Sequence, residues 1–198
     1  MFKDKKVSEF LDQLASDSPT PGGGTVAALS ASLAASLVSM VASLSIGKKK
    51  YMEHDELYAE TIEKMKQYSE KFQSMMDEDA AAFDGVMDAF GMPKKTPEEK
   101  EARKEAIQKG LKIATESPYN TAANVVDVAE YARKMVEYGN KNAVSDASCA
   151  LELCRAAFNM AMENVAINID SIKDEVFCEE MRKKCSEMEQ KLNAYFKA

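Results

Sequence analysis

The stretch Thr25–Ile46 limits what this chain can fold into more than any other. It runs 22 residues without a charged side chain. Leu29, Leu33, Leu37, Val41 and Leu44 recur at spacings of three and four, the period of an α-helix. Ala28, Ser32, Ala35, Ser39 and Ser43 form a second stripe of small side chains. A helix with no polar face must be covered nearly all round by other elements. Small residues let neighbouring backbones come close, and each serine hydroxyl can turn back to a carbonyl one turn earlier. By length the run would cross a bilayer. Its six serines and its reliance on alanine for hydrophobicity point instead to a core helix, and no membrane association is expected.

Both flanks carry information. Ser18-Pro-Thr-Pro-Gly-Gly-Gly24 leads in, and Gly47 followed by Lys48, Lys49 and Lys50 ends the run. The glycines leave the first N–H groups of the helix open, and such an end attracts anions. A tight turn explains the same glycines equally well through their steric freedom. There is no G-x-x-x-x-G-K-[ST] and no strand-borne G-x-G-x-x-G, so nucleotide binding has no support. Gly47 and the lysines make a good helix stop that complements the macrodipole.

The 26 basic and 33 acidic residues give a net charge of -7, which argues against a nucleic-acid partner. The opening MFKDKKVSEF has no apolar run of signal-peptide length, so a cytoplasmic protein is expected. Cys149, Cys154, Cys178 and Cys185 lack C-x-x-C spacing and read as reduced, mostly buried thiols. His54 is the only histidine and sits among charges, so neither a zinc site nor a histidine-based triad is expected.

The rest of the chain reads as helix throughout, with no strand alternation. Val7–Leu14 is a short amphipathic helix, and Glu56–Phe90 is a long one. Thr96 and Pro97 open the next as N-cap and first helical residue, and Ser117-Pro118 is expected to end it. Val125–Tyr138, a second small-residue helix at Ala147–Ile169 and Val176–Phe196 complete the set. The expected fold is all-α: one domain spanning 1–198, about seven helices, with Thr25–Ile46 and Ala147–Ile169 in contact at the centre.

Three places offer chemistry. In D-E-D-A-A-A-F, Asp79 falls near the face of Phe72, Met76 and Phe83. A carboxylate there is either solvated or, if partly desolvated, raised in pKa toward proton-transfer values. Gly139–Asp146, G-N-K-N-A-V-S-D, is a second polar turn. Asn164 and Asn168 lie one turn apart in N-V-A-I-N-I, and buried asparagines need partners, either a neighbouring helix or a polar ligand.

Six segments in register carry a resemblance: S-P-T-P-G-G-G-T-V-A-A-L, G-K-K-K-Y, D-E-D-A-A-A-F, M-P-K-K-T-P-E-E-K, G-N-K-N-A-V-S-D and N-V-A-I-N-I. The chain resembles the cyclodeaminase/cyclohydrolase family: the cyclodeaminase domain of formiminotransferase-cyclodeaminase and the stand-alone methenyltetrahydrofolate cyclohydrolases. The resemblance implies an all-helical homodimer acting on a tetrahydrofolate derivative, with no metal and no redox cofactor. It implies cyclisation of 5-formiminotetrahydrofolate to 5,10-methenyltetrahydrofolate with loss of ammonia, or alternatively hydrolysis of the methenyl bridge to 10-formyltetrahydrofolate. The family's active-site aspartate falls on Asp79. Gly22, Gly23 and Gly24 are then expected to let backbone approach the substrate. Lys48 and Lys49 are expected at its glutamate or polyglutamate tail. Asn140, Asn142 and Asp146, with Asn164 and Asn168, are expected to hydrogen-bond its polar groups. The reading from another class is a non-catalytic helical interaction module, which predicts solvated positions for Asp79 and Asp146.

Overall fold

The computed structural model describes residues 1–197, and among them every regular element is a helix. The α-helices are α1 (Val7–Leu14), α2 (Gly23–Ser43), α3 (Asp55–Gly91), α4 (Pro97–Tyr138), α5 (Val144–Ile169) and α6 (Glu175–Ala194), with 3-10 turns at Phe2–Asp4, Met52–His54 and Lys141–Ala143. The all-α expectation holds, and α2 packs against α5 at the centre as expected, with α3 and α4 completing the core.

The count is six rather than seven because α4 runs straight through Pro118. A proline inside a helix removes one N–H and leaves the carbonyl four residues earlier without its donor. Here that carbonyl belongs to Ala114, and the side-chain amide of Asn168 donates to it at 2.8 Å. A tertiary partner replaces the missing local one, so the break expected at Ser117-Pro118 does not occur. The start of α4 follows its local signals: Thr96 Oγ1 accepts from the Glu99 N–H at 3.2 Å, and the Glu99 carboxylate accepts from the Thr96 N–H at 3.1 Å.

The face of α2 that builds the core is its alanine face. Ala27, Ala28, Ala31, Ala34, Ala35, Val38, Val41 and Ala42 have no exposed surface. They meet equally buried small residues on α4 and α5, among them Ala129, Ala132, Ala150, Ala157 and Ala161. The leucine stripe is a different matter. Of that stripe only Val41 is sealed; Leu29 and Leu37 are half-buried, Leu33 is 51% and Leu44 41% exposed, and neighbouring Met40 is 38% exposed, so α2 is not covered all round. Alanine predominates on this face because three helices crowd against α2 and small side chains let the backbones come close. By length and composition α2 is apolar enough to cross a membrane, with a mean hydropathy of 1.8, but 56% of that window is buried inside the protein.

The helices fix a common direction for the site. Gly24 of α2 lies against Asp79 of α3, while the Gly47 N–H beyond the other end of α2 donates to Asp55 at 2.9 Å. The two helices are therefore antiparallel, and α3 continues past the start of α2 from Ala80 to Gly91. A second cluster closes this projecting end: Val86 and Leu111 from α3 and α4, Val165 and Ile169 from α5, Ile172, and Cys178 and Met181 from α6. Of the four thiols Cys154 and Cys178 are buried, Cys185 is half-buried and Cys149 is exposed. Burial pushes the Cys154 thiol up to about 12. His54 is half-buried, its ring 4.7 Å from that of Tyr138.

Candidate active site

Where α2 begins, α3 and α4 pass by and α5 ends, a cleft of about 390 Å³ opens. Its walls include Thr20, Gly22, Gly23 and Gly24, with Asp79 and Phe83 on α3 and Asn164, Ile167 and Asn168 on α5. Six of the eleven expected site residues thus meet in one place, although they come from three segments far apart in the chain.

Asp79 is only partly exposed. Burial is the largest influence on its carboxyl and raises the pKa above the ordinary 3.8, against smaller lowering effects from the hydroxyl and the backbone N–H of Thr25. The Thr25 hydroxyl donates to Asp79 Oδ2 at 3.0 Å, and Thr25 itself has no exposed surface. The other oxygen, Oδ1, lies against Gly24 so closely that a Cβ at that position would collide with it. Glycine is required there by the approach of the carboxylate, not by backbone conformation. At Gly23 a Cβ would come within 3.0 Å of the Asn164 amide nitrogen. The first turn of α2, whose N–H groups have no partner within the helix, is thereby set against the Asp79 carboxyl and the Asn164 amide. Sequence reasoning does not single out Thr25. Its signal is a hydroxyl in the first helical turn directly after three glycines.

The loop leading to the glycines is tethered. Gln13 Nε2 donates to the Thr20 carbonyl at 3.0 Å, and the Ser18 hydroxyl donates to the same oxygen at 2.6 Å. Gln13 sits on α1, and the segment before α1 is fastened by the Phe2 N–H, which donates to Asp77 on α3. Asp77 and Asp79 therefore act on opposite ends of one path: Asp77 anchors the N-terminal segment, and Asp79 faces the cleft.

On α5 both asparagines have their amide nitrogens committed. Asn164 Nδ2 donates to the Met160 carbonyl at 2.8 Å, and Asn168 Nδ2 to Ala114 at 2.8 Å. The two readings of these residues, helix tie and ligand contact, coexist: Asn168 ties α5 to α4, and both line the cleft.

The other five expected residues lie at the far end of α2, about 30 Å away at 1.5 Å per residue. Lys48 and Lys49 are exposed on the turn after α2. Asn140 is buried and occupied: its Nδ2 donates to the Leu44 carbonyl and its N–H to Ser45 Oγ, each at 2.8 Å, and its Oδ1 accepts from the Asn142 N–H at 3.0 Å. Asn142 is exposed, and Asp146 is half-buried in the first turn of α5. None of the five lines the cleft.

The profile of the family Formiminotransferase-cyclodeaminase matches residues 6–187. The chain is 42% identical over 183 residues to a methenyltetrahydrofolate cyclohydrolase of Methylorubrum extorquens, covering 92% of this chain and 88% of that protein. It is 36% identical over 173 residues to a formimidoyltransferase-cyclodeaminase of Gallus gallus, covering 87% of this chain and 32% of that longer protein. Among solved structures, formiminotetrahydrofolate cyclodeaminase of Thermotoga maritima superposes with a TM-score of 0.90 at 31% identity, over 99% of this chain and 94% of that one.

Proposed function

The chain belongs to the formiminotransferase-cyclodeaminase family, and we propose that it closes 5-formiminotetrahydrofolate to 5,10-methenyltetrahydrofolate with release of ammonia, Asp79 serving as general acid and base. The single observation that carries this reading is the partly buried Asp79 carboxyl set between Gly24 and Thr25 in the lining of the cleft. Ring closure makes a bond from N10 to the formimino carbon, and N10 loses a proton as it does so. The carbon becomes tetrahedral between N5, N10 and the departing nitrogen. That nitrogen must gain a proton before its bond to carbon breaks and ammonia leaves. With the formimino group entering protonated, as –CH=NH2+, one carboxyl group that takes the N10 proton and gives it to that nitrogen balances the reaction: ammonia leaves and the positive charge stays on the methenyl bridge, provided the carboxyl pKa is raised toward the working pH. The chemistry calls on proton transfer alone, so no metal or redox cofactor enters.

A second reading has specific support. The 42% identity to a cyclohydrolase extends over most of both chains. Hydrolysis of the methenyl bridge passes through the same kind of tetrahedral carbon, with water replacing ammonia, and asks the same of Asp79. Supplying purified protein with each substrate and following methenyl absorbance separates the two. A rise from the formimino compound means cyclodeamination. A fall from the methenyl compound above its spontaneous hydrolysis means cyclohydrolysis. No change with either overturns the proposal.

The protein is further proposed to act as a homodimer paired through the exposed side of α2. Leu33, Leu37, Met40 and Leu44 line that side at helical spacing, and apolar stripes of this kind are usually covered. A twofold axis across the stripe sets the two copies of α2 antiparallel. One protomer's Lys48, Lys49, Asn142 and Asp146 are then carried toward the cleft of the other, where lysines suit the carboxylates of a folate tail. Asn140 holds the turn that presents them.

A further inference from the structure

Resting on the folate reading, we infer that Asn164 and Asn168 recognise the exocyclic 2-amino group of the pterin through their side-chain oxygens. The starting point is the way the two amides are pinned. Pro118 has no N–H, so the Ala114 carbonyl takes its hydrogen bond from Asn168 Nδ2 at 2.8 Å. Asn164 Nδ2 turns back to the Met160 carbonyl at 2.8 Å. With the Asn164 nitrogen held by its own helix and the Asn168 nitrogen by α4, each amide has its donor side committed. Among the described residues neither Oδ1 accepts a hydrogen bond from the protein, and neither is sealed off as a buried orphan. Both residues line the cleft. The α5 wall therefore offers two acceptors.

Their place on the helix suggests a donor. Residues four apart have Cβ atoms about 5–6 Å apart, which sets the scale for the two oxygens they carry. One amino group whose two N–H bonds diverge at 120°, each donating over about 2.9 Å, spans two acceptors about 5 Å apart. A planar NH2 on a flat heterocycle fits that requirement, whereas a carbonyl or ring nitrogen placed there would face two acceptors. The ring is thereby oriented with its amino edge on α5 and its opposite side toward Asp79 on α3.

Affinities for 5-formyltetrahydrofolate and for its counterpart lacking the 2-amino group test this. Wild-type protein is expected to bind the parent about tenfold more tightly, the worth of one or two well-formed hydrogen bonds. Asn164→Ala leaves Met160 bonded within its helix and is expected to abolish most of that preference, weakening the parent and leaving the deamino compound unchanged. For Asn168 the helix tie must first be made dispensable. Pro118→Ala restores a backbone donor to Ala114. On that background Asn168→Leu is expected to lose the preference and Asn168→Asp, which keeps an oxygen acceptor, to retain it. A wild-type protein that binds both compounds equally, or variants that keep the full preference, overturn the inference while leaving the folate reading standing. Binding of neither compound by the wild type overturns the folate reading itself.

Discussion

Asn168 donates to the carbonyl of Ala114, the one carbonyl of α4 that Pro118 strands, across 54 positions of sequence. The pairing converts a helix breaker into a tolerated residue. Asn168→Leu alone should therefore cost about 1 kcal/mol through the lost bond. In the Pro118→Ala background the same change should cost much less, because the new N–H takes over. A double-mutant cycle read by chemical denaturation checks this; equal costs in both backgrounds would mean the two residues are independent.

Gly24→Ala should reverse the usual sign of a glycine-to-alanine change in a helix, which ordinarily stabilises by about 0.4–1 kcal/mol. The added Cβ meets Asp79 Oδ1 and forces the carboxylate away from Thr25. Destabilisation of about 1–3 kcal/mol is expected, as for an overpacked core, with turnover falling at least tenfold. The stability loss should largely vanish when Asp79 is also changed to alanine.

Asp79→Asn should keep the fold and folate binding and lose roughly 10²–10⁴-fold in turnover, the size of a lost acid/base contribution. Single-turnover rates with bound substrate measure it directly, and near-normal turnover would remove Asp79 from the mechanism.

The same variant has a pH signature in stability. Burial raises the Asp79 pKa above 3.8 in the folded chain, so the folded state holds this proton more tightly than the unfolded one. The resulting stability is complete below 3.8 and is lost as pH rises through the raised value. Asp79→Asn carries no charge at any pH, so it should melt above the wild type at pH 8, with the gap closing toward pH 4. Melting temperatures across that range give the answer, and a wild type that melts higher at pH 8 would contradict it.

Leu33→Glu combined with Met40→Glu should yield a monomer by light scattering without loss of helicity. Both side chains are substantially exposed in the single chain, so the charges cost the protomer little. A double variant that remains dimeric would place the interface elsewhere.

Local signals were legible wherever the physics is local. The Thr96 cap with Glu99, the run of helical periods and the small-residue faces of α2 and α5 can all be read from spacing. Asp79 could be nominated because its neighbours on α3 are apolar or small. What spacing does not contain is a partner from another segment. Pro118 looks like a stop because its rescue lies on α5. Leu33 and Leu44 look like core because a single sequence cannot say which apolar stripe of α2 its neighbours cover. Asn140 looks like a ligand contact, yet it spends its side chain on the end of α2 and the turn into α5. Thr25 passes unnoticed because its role depends on a carboxylate 54 positions later.

The contact between Gly24 and Asp79 also acts as a gauge on assembly. One turn of slip between α2 and α3, about 5.4 Å, would carry the carboxylate past the only positions small enough to receive it and set it against a side chain with a Cβ. The alanines of α2 repeat closely enough that core packing alone discriminates weakly between neighbouring registers; the glycine and the aspartate discriminate sharply. A chain that has found its native register has, in the same event, placed the Asp79 carboxyl in the cleft. Recovery of activity on refolding should therefore coincide with formation of the α2–α3 pairing and show no later, slower step of site maturation within the protomer.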